Sequence, residues 1–378
     1  MINSPIQISQ LDRTSYGLRR FFKVCYNIYE QDTNWVAPLL LDFRKALSDD
    51  NPFFKHAEMK LWVASRGSKD LGRIAAIINH NHNKFHHDNV GFFGFFESIN
   101  DHEISSALLN TAAQWLKSKG FKKIIGPMNP STNDDCGLLI EGFDSPPVFM
   151  MPYNPKYYID LLENSGFKKA KDLISFFIDV KKCPIDKLNR IASKAIARNS
   201  NIFCKPVKKK TLAEDLEKIK EVYNSAWEHN WGFVPMTSDE IDFMAERLKP
   251  IFMEGLVWLA EAGQEPVGFM LALPDYNIPF KPLKGRLLSL NLFKTLPYFL
   301  GMKLPHRCRV LTLGVKSEFR NHGLEALMLS RGFEVGIKAG FTEAEASWIL
   351  EDNIMMCRVI EFFGGIPYKR YRIYEKEI

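Results

Sequence analysis

The sequence predicts an α/β (α+β) chain built from two similar domains in tandem, and three observations lead there. First, landmarks recur at one spacing. Trp62 in L-W-V-A and Trp258 in V-W-L-A are separated by 258 − 62 = 196 residues, and Gly72 and Gly268 by 268 − 72 = 196. K-S-K-G-F at 117–121 returns as I-K-A-G-F at 337–341, and S-G-F at 165–167 as F-G-G at 363–365. Second, each half alternates strand-like runs with helical periodicity in the same order. Third, 378 residues suits two domains, each able to enclose its own core. The domains are expected at 1–180 and 205–378, with 181–204 as the connection.

Residues 1–60 read as helical and irregular, with an amphipathic run at 16–30. The runs 60–65 and 72–79 form a hairpin pattern. The stretch 79–89 holds four of the nine histidines. A metal needs three or four converging ligands, and this stretch lacks helical or zinc-finger spacing, so a solvated loop and no metal are expected. The Phe-rich run 90–97 reads as a strand buried on both faces. A helix at 103–119 follows, placing Leu108, Leu109, Ala112, Trp115 and Leu116 on one face. A strand starts at 123–125, and after a long polar segment come a helix at 157–164 and a strand at 174–180. The second half offers a strand at 309–314, a helix at 324–338, a strand at 342–349, a helix at 352–363 and a terminal strand pair.

Composition bounds the setting. A hydrophobic share of 46% with 25% charged residues is ordinary for a globular chain. No apolar run reaches bilayer-spanning length, and residues 1–10 lack a signal-peptide layout. The six cysteines show no C-x-x-C spacing, which suits a reducing cytosol and argues against a disulfide framework. A cytoplasmic location is expected. The net charge of +6 is mild, and its distribution matters more than its sum.

The stretch 315–326, V-K-S-E-F-R-N-H-G-L-E-A, joins a strand to a helix. Helix N-termini present unsatisfied N–H groups and favour an anion. Gly323 removes a side chain where the backbone would approach a ligand, while Arg320 and His322 add charge or donors. The order strand, turn, helix, strand, helix, Gly, strand resembles the GNAT superfamily of acyl-CoA N-acyltransferases. Its pyrophosphate turn reads R/Q-x-x-G-x-G/A, and Arg320, Asn321, His322, Gly323 and Leu324 fit the first five places. The sixth is Glu325, where the family has Gly or Ala. Asn353 and Gly364 match the residues that open and end the family's fourth helix, while its usual Tyr, often the acid that reprotonates the CoA thiolate, falls on Ile360. The resemblance implies two GNAT-like domains, each a mixed, mostly antiparallel central sheet flanked by helices. It also implies acyl-CoA or acetyl-CoA as co-substrate, an amine acceptor, and a thioester carbonyl polarised along Leu313, Gly314 and Val315.

The first copy carries E-S-I-N-D-H-E at 97–103 where the second has its phosphate turn. Three acids and no Gly should exclude a pyrophosphate. Two other segments suggest a function. In 126–153, Asn129, Asn133 and Asp134 are candidate acceptor-binding residues and Asp135 a candidate base, with a locally capped turn as the alternative. In 226–237, Trp227, Trp231 and Phe233 supply apolar walls, Asn230 a polar group, and Glu228 or His229 a base for an ammonium acceptor. The alternative there is aromatic packing at a helix end.

Between Tyr276 and Ser317 stand eight Lys or Arg and no acid, interleaved with Leu288, Leu292, Phe293, Leu296, Phe299 and Leu300. Within this segment, 276–309 suits an anionic membrane surface at the inner membrane face, or an acyl-CoA entrance. An insertion packed on the other domain is the alternative. Nucleic acid is not expected, since aliphatics outnumber base-stacking aromatics. Over its whole length the chain resembles bacterial tandem-GNAT acyltransferase-like proteins, through G-P-M-N-P-S-T-N-D-D-C-G, W-E-H-N-W-G-F-V-P and S-W-I-L-E-D-N. Their members include bacterial ceramide synthases, which join a fatty acyl group to a sphingoid amine. The expectation is an acyl-CoA-dependent N-acyltransferase acting on an amine such as a long-chain base. A non-catalytic acyl-CoA-binding scaffold and a small-amine N-acetyltransferase are the alternatives, and the oligomeric state is open.

Overall fold

In the computed structural model, which describes residues 4–198, 201–287, 290–320 and 322–378, two units repeat one strand order. The first unit holds Met1–Leu173, Leu283–Ser289 and Lys369–Ile378, and the second Ile174–Pro282 and Leu290–Tyr368. The chain runs through β1 (Ile6–Leu11), α1 (Ser15–Ile28), α2 (Leu40–Ala46), β2 (Ala57–Arg66), β3 (Lys69–Asn79), α3 (His80–His86), β4 (Val90–Ser98) and α4 (His102–Ser118). It continues with β5 (Lys123–Gly126), β6 (Met128–Asn129), β7 (Asp135–Cys136), β8 (Leu138–Glu141), α5 (Tyr158–Glu163) and β9 (Lys168–Asp179). Next come α6 (Ile185–Arg198), β10 (Ile202–Pro206), α7 (Leu212–Ala226), α8 (Ser238–Leu248), β11 (Val257–Ala262), β12 (Glu265–Pro274), α9 (Asn277–Phe280) and α10 (Leu292–Phe299). The last elements are β13 (Arg307–Val315), α11 (Leu324–Lys338), β14 (Glu343–Leu350), α12 (Ile354–Phe362) and β15 (Gly365–Glu377).

In the first unit β1, β2, β3 and β4 pair antiparallel in that order, and β4 pairs β5 in parallel. In the second unit β10, β11, β12, β13 and β14 do the same. The 196-residue offset extends to the irregularities. The β2–β3 ladder shifts register between Ala64 and Ser65, and the β11–β12 ladder between Ala260 and Glu261. Gly72 lies opposite Ser98, and Gly268 opposite Val315.

Each sheet buries one face against the helix that follows its fourth strand. In the first unit Trp62, Ala64, Ile74, Ala76 and Ile78 meet Leu108, Leu109, Ala112 and Leu116 of α4. A Cβ on Gly91 would stand 2.3 Å from Leu116, so glycine there lets α4 close on the sheet. In the second unit Trp258, Ala260, Val267, Met270 and Val315 meet Leu324, Leu327 and Met328 of α11. Each such fully buried aliphatic contributes roughly 1.5–3 kcal/mol.

Several sequence expectations change. Residues 80–86 are helical rather than a solvated loop. Asn79 caps the helix by accepting from His82 N at 3.1 Å, Asn83 bonds both backbone groups of Val90, and the His82 ring packs edge-on against Phe92. Burial, reinforced by His86, pushes the His82 imidazole down to about 3. The irregular start contains the strand β1. Residues 181–204, expected as a connection, hold α6 and most of β10. Leu188 and Ala192 of α6 join the second unit's core, and Asn189 accepts from Ser330 of α11. The terminal strand is divided between the units. Residues 369–377 of β15 belong to the first, where they pair with β5 and β8, and Arg372 grips the buried Asp172 with two bonds of 2.8 and 3.1 Å.

Candidate functional site

The site in the second unit begins where a ladder stops. Among the described residues β13 and β14 pair from Arg307↔Glu343 to Val310↔Ala346 and no further, while β13 stays paired with β12 up to Val315. The edge of residues 311–314 that would face β14 therefore lacks a strand partner. Backbone polar groups shielded from water need partners, and this edge leaves those of 311–314 open to one. Thr312 Oγ1 points the same way, being buried there without a hydrogen-bond partner.

The end of β13 is fixed by the turn after it. Arg320 Nε donates to Val315 O at 3.2 Å, and its Nη2 donates to Ala226 O at 2.7 Å, tying the turn to the end of α7. Arg320 therefore organises the backbone as well as placing charge nearby. Gly323, at φ 80°, is the N-cap of α11, and among the described residues no side chain caps that helix. Its first-turn N–H groups remain open to an anion, with Glu325 half-buried in the same turn. His322 is exposed beside Phe319, and Asn321 lies outside the described residues.

An aromatic wall stands over the notch. A Cβ on Gly314 would lie 2.2 Å from Trp227, so the indole rests on the strand backbone itself. Tyr223 and Phe269 pack on that indole at 5.4 and 5.5 Å. The chain then turns, with Asn230 N donating to Trp227 O and Phe233 N to Asn230 O. Glu228 and His229 stand exposed on this turn, while Asn230 and Trp231 are half-buried. Asn224 holds the exit by bonding both backbone groups of Met236.

A polar group at the end of the ladder escaped sequence reasoning. Arg309 and Glu345 are register partners and both are buried. Arg309 donates to Ser347 Oγ at 2.8 Å and to Ser347 O at 3.2 Å; the Ser347 and Tyr368 hydroxyls donate to opposite oxygens of Glu345. The only sequence signal was alternation in E-A-E-A-S, whose alanines enter the core and whose Glu345 and Ser347 must take the other face.

The first unit has the same notch with its contents built in. Its parallel ladder also stops early, at Phe92↔Ile125. Here Asn129 Oδ1 accepts from Phe95 N at 2.6 Å, and Met128 O would lie 1.6 Å from a Cβ on Gly94. At α4, the Asp101 carboxylate accepts from Glu103 N at 2.9 Å and Ile104 N at 3.3 Å, occupying the helix N-terminus. Glu97 stands where the second unit has Gly314 and is bonded by the Tyr29 and Tyr158 hydroxyls. Burial raises its carboxyl above the ordinary value.

Of the remaining candidates in 126–153, Ser131 Oγ donates to Asp134 Oδ2 at 2.8 Å and accepts from Asn133 N at 3.1 Å. Asp135 is the register partner of Asn129 in the β6–β7 ladder. Asn129, Asn133, Asp134 and Asp135 belong to the first unit, and Glu228, His229, Asn230 and Trp231 to the second.

No known protein-family profile matches the chain. It is 33% identical over 365 residues to Protein YghO of Escherichia coli, spanning 96% of this chain and 93% of that protein. It is also 33% identical over 374 residues to the bacterial ceramide synthase of Caulobacter vibrioides, spanning 97% and 96%. Among solved structures, a tandem GNAT protein from the clavulanic acid biosynthesis pathway superposes with a TM-score of 0.59 at 10% identity, covering 99% of this chain and 98% of that one. A GCN5-related N-acetyltransferase from Sphaerobacter thermophilus gives a TM-score of 0.52 at 12% identity, over 98% and 95%. The chain belongs to the family of these two relatives and has the tandem-GNAT fold.

The remaining GNAT positions can now be placed. Asn353 caps α12 by accepting from Met356 N at 3.2 Å, and Gly364, at φ 85°, follows that helix. Ile360, on the family's tyrosine position, is buried in the second unit's core and would press on any side chain at residue 365. A GNAT tyrosine acid thus has no counterpart at residue 360, and the hydroxyls described around the ladder's end are those of Thr312, Ser347 and Tyr368.

Proposed function

We propose that this chain is an acyl-CoA-dependent N-acyltransferase whose donor site lies in the second unit. The observation that carries the reading is the contrast between two homologous notches. One is filled by Asn129 and capped by Asp101, while the other, among the described residues, has an open strand edge, a Thr312 hydroxyl without a partner and a helix with Gly323 at its start and no side-chain cap. The open pair fits a co-substrate that combines amides with a pyrophosphate. The backbone N–H groups of Leu324 and Glu325, with Arg320 and His322 in the same turn, would hold the phosphates. The backbone of Leu313, Gly314 and Val315 would align and polarise the thioester carbonyl.

In the reaction, the neutral amine nitrogen attacks that carbonyl, a C–N bond forms, the C–S bond breaks, and the thiolate leaves to take up a proton. Glu228 or His229 would accept the proton that the ammonium must lose, with Asn230, Trp231 and the Trp227 wall orienting the acceptor. Asn353 would act by capping α12, the helix after β14. The relative that is a bacterial ceramide synthase supports a long acyl donor and a long-chain, sphingoid-type amine. A non-catalytic acyl-CoA-binding scaffold is the second reading, favoured by Ile360 in the core and Glu325 in the turn.

The donor site is tested by thermal unfolding with and without palmitoyl-CoA. A ligand at a hundredfold excess over Kd stabilises by about 2.7 kcal/mol. That protection should vanish in Gly323→Trp and persist in Asp101→Asn. Equal protection of wild type and Gly323→Trp would place the donor elsewhere.

A further inference from the structure

The apolar stripe of α10 faces outward. An amphipathic surface helix ordinarily packs its apolar side inward. In α10 the buried residue is Thr295, its hydroxyl satisfied by Leu292 O at 3.0 Å. Phe293, Leu296 and Leu300, at i, i+3 and i+7, share one stripe and are exposed. Leu290 is 90% exposed, Phe293 and Met302 77%, and Leu300 63%. Soluble surfaces carry such residues singly, but rarely as a contiguous group. The helix is held in place by Phe299 stacking on Phe280 at 6.0 Å, and by Met302 N donating to Pro297 O at 2.9 Å.

The charge around this stripe is of one sign. No Asp or Glu lies between Tyr276 and Ser317. Of the cations in that stretch, Arg307 bonds Asp275, Arg309 bonds Ser347 and Lys316 bonds Glu221 and Glu265, so these three serve the interior. Lys281, Lys294 and Lys303 remain exposed in the same unit, Lys303 5.1 Å from the Tyr298 ring. An exposed apolar stripe flanked by lysines matches the boundary of an anionic bilayer, where apolar side chains enter the acyl region and ammonium groups meet phosphates. A second copy of the chain would bring the same cations against these, which disfavours self-association through this face.

We infer that residues 290–303 are a docking surface for an anionic phospholipid membrane, with Leu290, Phe293, Leu300 and Met302 inserted and Lys294 and Lys303 at the headgroups. This surface does not depend on the acyltransferase reading and stands or falls separately from it. It would hold the protein where long-chain acyl groups and amphipathic amines partition.

The test is co-sedimentation of the full chain with sucrose-loaded vesicles of phosphatidylcholine, alone or mixed with phosphatidylglycerol. Wild type should pellet with the mixed vesicles. Phe293→Ser, Leu300→Ser and Met302→Ser combined should weaken binding about tenfold or more, and Lys294→Glu with Lys303→Glu roughly tenfold on the anionic vesicles. All five side chains are exposed, so circular dichroism and melting should match wild type. Three results overturn the inference: wild type that stays in the supernatant, a triple variant that binds like wild type, or a wild-type dimer that the triple variant converts to monomer. The last would assign the patch to a second copy.

Discussion

Replacing Gly314 with alanine tests the geometry of the notch directly. The new Cβ would stand 2.2 Å from Trp227 Cη2 and 2.4 Å from Cζ2. Ordinary carbon contacts lie at about 3.5–4.0 Å, so the indole must retreat by more than about 1 Å. It is a rigid ring packed on Tyr223 and Phe269, not the free end of a flexible side chain. Overpacking of this kind costs about 1–3 kcal/mol. Gly314→Ala should therefore lower stability by that amount in urea unfolding and reduce protection by acyl-CoA. In a Trp227→Ala background the same substitution should cost little, giving a coupling energy of about 1 kcal/mol or more. If the two substitutions are additive, Trp227 does not rest on Gly314 and the wall over the notch is misdrawn.

Three further outcomes are expected. Asn129→Leu leaves Phe95 N–H without its acceptor and should cost about 1–3 kcal/mol in chemical unfolding while leaving acyl-CoA protection intact. Asp172→Asn breaks a buried ion pair and should cost about 3 kcal/mol at neutral pH. Burial alone would raise the Asp172 carboxyl, but Arg372 and Lys169 hold it below the ordinary value. Its contribution is present above the unfolded value and is lost as pH falls through the folded one, so wild type and Asp172→Asn should converge in strong acid. His82 is held neutral down to about 3 by burial, first, and by His86. The unfolded chain binds the proton from about 6.5 downward. Wild-type stability should thus fall below that pH, with a slope of up to about 1.4 kcal/mol per pH unit, and His82→Leu should lack this component.

Much of the fold was legible because repeated packing imposes repeated residues. Trp62 and Trp258 occupy one position in two cores, and Gly72 and Gly268 sit at one place in two ladders. The helix expected at 324–338 has those bounds, with Gly323 as its N-cap. Helix α3 escaped because its cap, Asn79, and its anchor, Asn83 on Val90, are polar and give no apolar period. The Arg309, Glu345, Ser347 and Tyr368 group escaped because it assembles across separate strands. Asn129 looked like a ligand-binding side chain because it is polar in a turn-rich segment. Only the register shows it meeting Phe95 N–H where a ligand would otherwise lie.

The central claim, that an acyl-CoA donor is used to acylate an amine, is tested most directly by release of free CoA thiol. Purified protein would be incubated with acyl-CoAs from acetyl to palmitoyl, with and without sphinganine. The account predicts release that requires both a long acyl-CoA and the amine, and that Gly323→Trp abolishes. Binding of acyl-CoA without turnover across the panel would contradict it in favour of a scaffold. Release from acetyl-CoA with a small amine alone would contradict the long-chain acceptor.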